Sequence, residues 1–287
     1  MTYQVKHTTS YTYGERVGVC QNVALLTPRD TPTQRCLNHA LIISPEPQVR
    51  QDYLDVFGNQ LTYFSIEEEH ESLSVTAIFT VENNCEDATV TSTSSISWEN
   101  VRQTLDSSDV EILQFCYPTD ITTANDGICA YADISFTPNR PCYDAVKDLM
   151  HRIFRDFKFK SGFTTVASPP SEVMRLKGGV CQDFAHLALA CVRSKGLPAR
   201  YVSGYIETIP PKGQKKLVGA DATHAWFSVY IPGMGWCDFD PTNDKIPNRQ
   251  HITTGWGRDY FDIVPLKGVL LGNGEHTLKV EVDVQRV

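Results

Sequence analysis

A cysteine stands at position 181, directly after Gly178-Gly179-Val180. There an apolar pattern of helical period begins and runs through KGGVCQDFAHLALACVRSKG, residues 177–196. The first turn of a helix leaves backbone N–H groups unpaired and carries partial positive charge. Such a position favours the thiolate, the nucleophilic form of cysteine. The same N–H groups can hold an oxyanion forming on a substrate carbonyl. The two glycines would let the chain reverse sharply and a substrate approach the backbone. The plainer reading is a buried cysteine after a turn, since cysteine is among the most buried residue types.

Two later segments bear on the choice. In DATHAWFSVYI, period-two alternation puts His224, Trp226, Ser228 and Tyr230 on one strand face and Ala225, Phe227, Val229 and Ile231 on the other. A histidine beside a thiol can take its proton and deliver it to a leaving amine. The plainer reading is a solvated strand histidine. In GWCDFDPTN, Trp236, Asp238 and Asp240 share a face, and Pro241 stops the strand. A carboxylate on the far imidazole nitrogen would fix the tautomer and stabilise the imidazolium. Both Asp238 and Asp240 can fill that role; the alternative for Asp238, and for Asp221 in DATH, is a turn or surface carboxylate. The short PGMG connection predicts an antiparallel pair of strands 224–231 and 235–240, which brings His224 close to Asp240. Cys181, His186 and His224 can also be drawn as metal ligands, but a zinc site wants closer recurrent spacing.

The elements that must position these residues fall in an α+β order. YQVKHTTSYTY, HALIISPEP, DYLDVFGNQLTYFSI and LSVTAIFTV read as half-buried strands, with Gly58-Asn59 as a hairpin turn. Residues 1–100 are therefore expected as a β-rich, sandwich-like domain. Residues 101–141 are expected as a linker with one short helix, SSDVEILQFC, capped by Ser107 or Ser108. Residues 142–287 are expected as the core. It opens with an amphipathic helix in which Val146, Leu149, Met150, Ile153, Phe154 and Phe157 are spaced for one face, with Pro141 in the first turn. PSEVMRLKGG reads as a shorter helix stopped by Gly178-Gly179. The helix of Cys181 has Phe184, Leu187, Ala188, Cys191 and Val192 on its buried face and ends at Gly196 and Pro198. Strands follow: ARYVSGYIE, HAWFSVYI, GWCDFD and HTLKVEVDV.

Composition excludes some classes. The 287 residues carry a net charge of −8, and the pI is about 5.5, the opposite of a basic nucleic-acid footprint. No 18-residue apolar run and no apolar leader is present, so neither a membrane partner nor secretion is expected. Nine scattered cysteines without a CxxC pair suit a reducing, cytoplasmic compartment better than a disulfide framework.

GGVCQDFAHLALACVRSKGLPARYVSGYI, DATHAWFSVYIPGMGWCDFDPTN and GRDYFDIVPLKG resemble the bacterial transglutaminase-like proteins, a branch of the transglutaminase and papain-like cysteine hydrolase superfamily. YTY, LLTPRDTPTQRC, DVFGN and SLSVTAIFTV resemble that family's β-rich N-terminal region. The resemblance implies a papain-like, transglutaminase-like core of helices on an antiparallel sheet. It also implies a nucleophile at Cys181, a base at His224 and an acid at Asp240, 43 and then 16 residues apart. The expected reaction is thiol-dependent acyl transfer on amide bonds of peptides or proteins, resolved by water as in a cysteine protease or amidase. The alternatives are an amine acceptor, as in a transglutaminase, or a non-catalytic binding protein on the same scaffold. No metal or other cofactor is implied, and no calcium-loop signature is present. Gln182 and the region of Phe157 to Phe163 are candidates for the second oxyanion donor. Arg258 and Asp259 of GRDY would serve mechanism or fix a loop.

Overall fold

Period-two alternation over the first 83 residues becomes six strands: β1 (Thr2–Val17), β2 (Val19–Ala24), β3 (Gln34–Ser44), β4 (Val49–Leu54), β5 (Gln60–Ile66) and β6 (His70–Asn83). The structure is a computed structural model and describes residues 1–85, 95–105, 109–207, 223–272 and 274–287. The inward residues of these strands, among them Tyr3, Val5, Phe64, Ile66, Val75 and Phe79, form one buried cluster between two antiparallel sheets. Gly58 takes a positive φ of 73° in the turn between β4 and β5, as a hairpin there requires.

Helices α1 (Trp98–Thr104), α2 (Val110–Leu113), α3 (Asp126–Asp133) and α4 (Cys142–Asp156) follow. The stretch 101–141 is more than a linker. Ile128, Tyr131, Ala132 and Phe136 are buried in the same cluster as Val146, Leu149 and Ile153 of α4. The polar composition of this stretch belongs to its loops and hides the apolar side of α3. α2 begins after Asp109, and Ser107 and Ser108 lie outside the described residues. Pro141 immediately precedes α4. Phe154 departs from the expected apolar face and is 49% exposed, while Phe157 is buried just beyond the helix.

The chain then forms β7 (Lys158–Phe159), α5 (Pro170–Leu176), β8 (Gly178–Gly179), α6 (Cys181–Arg193), β9 (Ala199–Ile206), β10 (Thr223–Ile231), β11 (Gly235–Phe239) and β12 (His251–Gly257). The last four strands make an antiparallel sheet in the order β11-β10-β9-β12. α6 packs on its Ala225–Phe227–Val229 face. Every residue of α6 from Asp183 to Arg193 is buried, so this helix is enclosed on all sides rather than on one. Among the described residues no helix is long and apolar enough to cross a membrane.

The final strands, β13 (Leu266–Leu271) and β14 (His276–Arg286), are not part of the core sheet as expected. β14 pairs with β1 from Tyr3↔Arg286 to Tyr13↔His276, and β13 pairs with β2. Alternation announces a half-buried strand but does not name its neighbour. Here the chain end covers two strands that would otherwise be open edges.

The N-terminal sheets hold the free edge of β12 through side-chain amides. Gln34 Nε2 donates to Thr253 O, and Thr253 N–H donates to Gln34 Oε1, both at 2.8 Å. Asn59 Nδ2 donates to Trp256 O at 2.8 Å, and Trp256 N–H donates to Asn59 Oδ1 at 3.1 Å. Asn83 Nδ2 donates to His251 O at 2.8 Å.

Candidate active site

Cys181 is the first residue of α6. The first helical backbone bond, Phe184 N–H to Val180 O at 3.1 Å, leaves the N–H groups of Cys181, Gln182 and Asp183 outside the ladder. Just before it, β8 pairs in parallel with β7. Neither glycine of β8 has a positive φ; the left-handed residue that ends α5 is Lys177, at φ 50°. The glycines serve close approach instead. A Cβ on Gly179 would lie 2.6 Å from Asp183 Oδ2. That carboxylate is buried and accepts the Val180 N–H and the Thr164 hydroxyl, each at 2.7 Å. Burial pushes the Asp183 carboxyl up, against these two hydrogen bonds. Asp183 thus ties the turn before Cys181 to the third residue of the helix.

His224 lies near the start of β10, and Asp240 lies one residue beyond β11. The register Phe227↔Phe239 and Ser228↔Asp238 carries Asp240 to a place diagonal to His224. Its Oδ2 accepts from His224 Nε2 at 2.8 Å. Asp238, opposite Ser228, is four residues along β10 from His224, about 13 Å. It does not reach the ring. Because Nε2 is engaged, Nδ1 is the nitrogen left to face the Cys181 thiol, the second group that acts on the imidazole. Burial alone would push the His224 pKa down. Hydrogen bonds and charge from Asp240 and Cys181 outweigh it and hold the pKa at about 10.

Asp240 is fully buried and accepts more than the bond from His224. Beyond His224, its Oδ2 accepts from Asn243 Nδ2 at 2.7 Å and from His251 Nε2 at 3.1 Å. Its Oδ1 accepts the Thr242 and Asn243 N–H groups at 2.9 and 3.2 Å. Burial would raise its pKa, but the bonds from the two histidines drive it well below the usual carboxylate range. His251 Nδ1 accepts the Asn248 N–H at 3.3 Å, which fixes the proton on Nε2 toward Asp240. Neither His251 nor Asn243 is among the residues the sequence points to. The tripeptide Pro-Thr-Asn after Asp240, with a side-chain amide three residues past a carboxylate, was the available signal for Asn243. A lone strand histidine gave none for His251. The Trp226 indole packs beside both rings, 6.0 Å from His224 and 5.3 Å from His251 between centroids.

The other expected residues lie elsewhere. His186 accepts the Tyr260 N–H at 3.2 Å and packs on Tyr201, and burial pushes its pKa down to about 3. It is a neutral core histidine and does not join Cys181 and His224. Two imidazoles and a carboxylate do converge at His224, Asp240 and His251, within 4.8 Å, a set able to ligate a divalent cation. Gln182 turns its amide to Val166 O at 2.9 Å. Arg258 pairs with Asp262 through Nε at 2.9 Å and Nη2 at 3.0 Å, and Asp259 caps the turn by accepting the Phe261 N–H. GRDY therefore fixes a loop. Asp221 lies outside the described residues.

Comparisons with known proteins bear on this arrangement. Residues 3–82 match the bacterial transglutaminase-like N-terminal region, and residues 131–241 match the transglutaminase-like superfamily. An uncharacterized protein of Mycobacterium tuberculosis is 40% identical, covering 98% of this chain and 92% of its own. One from Mycobacterium leprae is 34% identical, covering 99% and 98%. The crystal structure of a candidate cysteine protease from Cytophaga hutchinsonii shares the fold, with a TM-score of 0.75 at 22% identity, over 100% of this chain and 91% of that one.

Proposed function

The chain belongs to the bacterial transglutaminase-like proteins, and from that premise we propose that it is a thiol acyl-transfer enzyme that hydrolyses amide bonds of peptides or proteins. The observation that carries the reading is a buried imidazole–carboxylate pair, His224 Nε2 2.8 Å from Asp240 Oδ2, whose imidazole is also acted on by the Cys181 thiol at the head of α6. In this reading His224 Nδ1 already holds the Cys181 proton in the resting enzyme, and the thiolate sulfur bonds to the carbonyl carbon. The unpaired N–H groups at the head of α6 receive the oxyanion. The imidazolium then protonates the leaving nitrogen, the C–N bond breaks, and a thioester remains. Water adds to the thioester, His224 takes its proton, the C–S bond breaks, and the acid leaves with the thiolate and the imidazolium restored. Asp240 holds the ring and its charge throughout and does not take the proton.

The reaction is tested by offering a peptide mixture with an excess of a labelled primary amine and weighing the products. Free acids are expected to predominate, and Cys181→Ala is expected to abolish them. Predominant amine adducts would make the enzyme a transglutaminase. Absence of turnover on any amide would remove the reading.

A further inference from the structure

The face of the core sheet turned away from α6 floors a cavity of about 1130 Å³ beneath the N-terminal loops. Among the described residues, neither Cys181 nor His224 lines it, but Trp226 and His251 do. In the sheet beneath it the cross-strand register sets Arg200, Ser228 and Asp238 in one row over β9, β10 and β11, with outer Cα atoms about 10 Å apart; Arg200 and Asp238 line the cavity. All three side chains have a buried polar atom without a hydrogen-bond partner: Arg200 Nε, Ser228 Oγ and Asp238 Oδ1. Arg200 is 8% exposed. Its guanidinium carbon lies 3.7 Å from the Trp256 ring centre and 4.3 Å from that of Trp236. Arg29 lies 3.7 Å from the same Trp256 centre, so the two cations occupy opposite faces of one indole. Arg29 is bonded to Phe57 O and Asn59 Oδ1; Arg200 has only the more distant charge of Asp238 against its own.

Buried charges are ordinarily paired, and a cation without an acceptor at a cavity floor is suited to an incoming anion. Asp238, at the far end of the row, requires a hydrogen-bond donor. The indole walls and the volume exceed what a single small ion fills. We propose that this cavity binds a short peptide by its free C-terminal end, with the α-carboxylate on Arg200 and a backbone N–H on Asp238. The site is separate from Cys181, and its wall, through His251, is shared with the partners of Asp240.

The test reads binding and not turnover, so it stands or falls apart from the proposed reaction. A random tripeptide library with free carboxyl ends and the same library amidated are each mixed with the full chain carrying Cys181→Ala. Retained peptides are measured by size exclusion and mass spectrometry. Free-acid peptides are expected to be retained about tenfold or more over amides, as loss of a charge-assisted bidentate contact implies. Arg200→Met, which keeps an apolar stem between the indoles, is expected to remove that preference while the melting temperature holds within a few degrees. Equal retention of both libraries, or retention of neither, overturns the proposal. Should Arg200→Met not fold, the acid-versus-amide comparison on the parent chain decides alone.

Discussion

At the scale of single residues, the distinction between two nearby carboxylates is geometric. Asp240 reaches His224 and Asp238 does not, because a hairpin register fixes which positions are diagonal neighbours. Asp240→Asn is expected to lower kcat by about 10²–10⁴-fold, because the amide no longer fixes the tautomer. It should also drop the His224 pKa from about 10, as followed by NMR, whereas Asp238→Asn should leave that titration in place. The reverse pattern would transfer the role to Asp238. The same pair sets a pH dependence. A folded-state pKa of about 10 against an ordinary 6.5 contributes stability that is whole below about 6.5 and lost as pH rises through 10. Asp240, depressed when folded, contributes above its ordinary 3.8 and loses that contribution as pH falls further. The stability difference between the parent and Asp240→Asn should therefore be largest near pH 4–6.5 and shrink toward pH 10, in denaturation curves taken across that range. His251 acts through Asp240. His251→Ala should cost about 10–100-fold in kcat, and His251→Gln, which keeps a donor, should restore most of it. A purely packing role would be rescued by Phe instead.

At the scale of elements, much of the site was legible. The helix start at Cys181, the strand of His224 and the hairpin carrying Asp240 all follow from periodicity, glycines and a short connection. Gly179 was visible, but its reason was not. Positive φ is a local property that sequence suggests, whereas close approach depends on Asp183, which lies four residues on and folds back over the glycine. His251 was illegible for a similar cause: its partner is on another strand, and its fixed tautomer comes from a loop N–H. Gly179→Ala tests the element directly. With a Cβ 2.6 Å from Asp183 Oδ2, the turn or the carboxylate must move. A loss of about 1–3 kcal/mol in stability is expected, as for overpacked sites. Alkylation of Cys181 at pH 6 should slow with it, because the thiol shifts from His224. The buried thiols Cys142 and Cys191, pushed up to about 12 by burial, provide the unreactive reference in the same peptide map. An unchanged Cys181 labelling rate would show that Gly179 does not position the helix start.

At the scale of the whole molecule, the β-rich region and the core are joined by hydrogen-bonded edges. Sequence alternation placed strands in both regions but carried no record that β14 returns to β1, or that β12 is finished by amides from Gln34, Asn59 and Asn83. Gln34 and Asn59 each offer one acceptor and one donor to the backbone of β12, as a neighbouring strand would. The same strand begins at His251, whose carbonyl Asn83 holds. The N-terminal region is therefore in a position to set the site without touching Cys181. Gln34→Leu keeps the bulk of a side chain that is only 4% exposed but leaves the Thr253 N–H and carbonyl without their partners. Each orphaned buried backbone group costs about 1–3 kcal/mol, so urea denaturation should show a loss of about 2 kcal/mol or more. Exchange protection should fall first at the amides of β12, ahead of β10 and β11. Asn59→Leu should behave alike at Trp256. If either change leaves β12 protection untouched, the sandwich is only an appended module, and the geometry at His251 is set by the core alone.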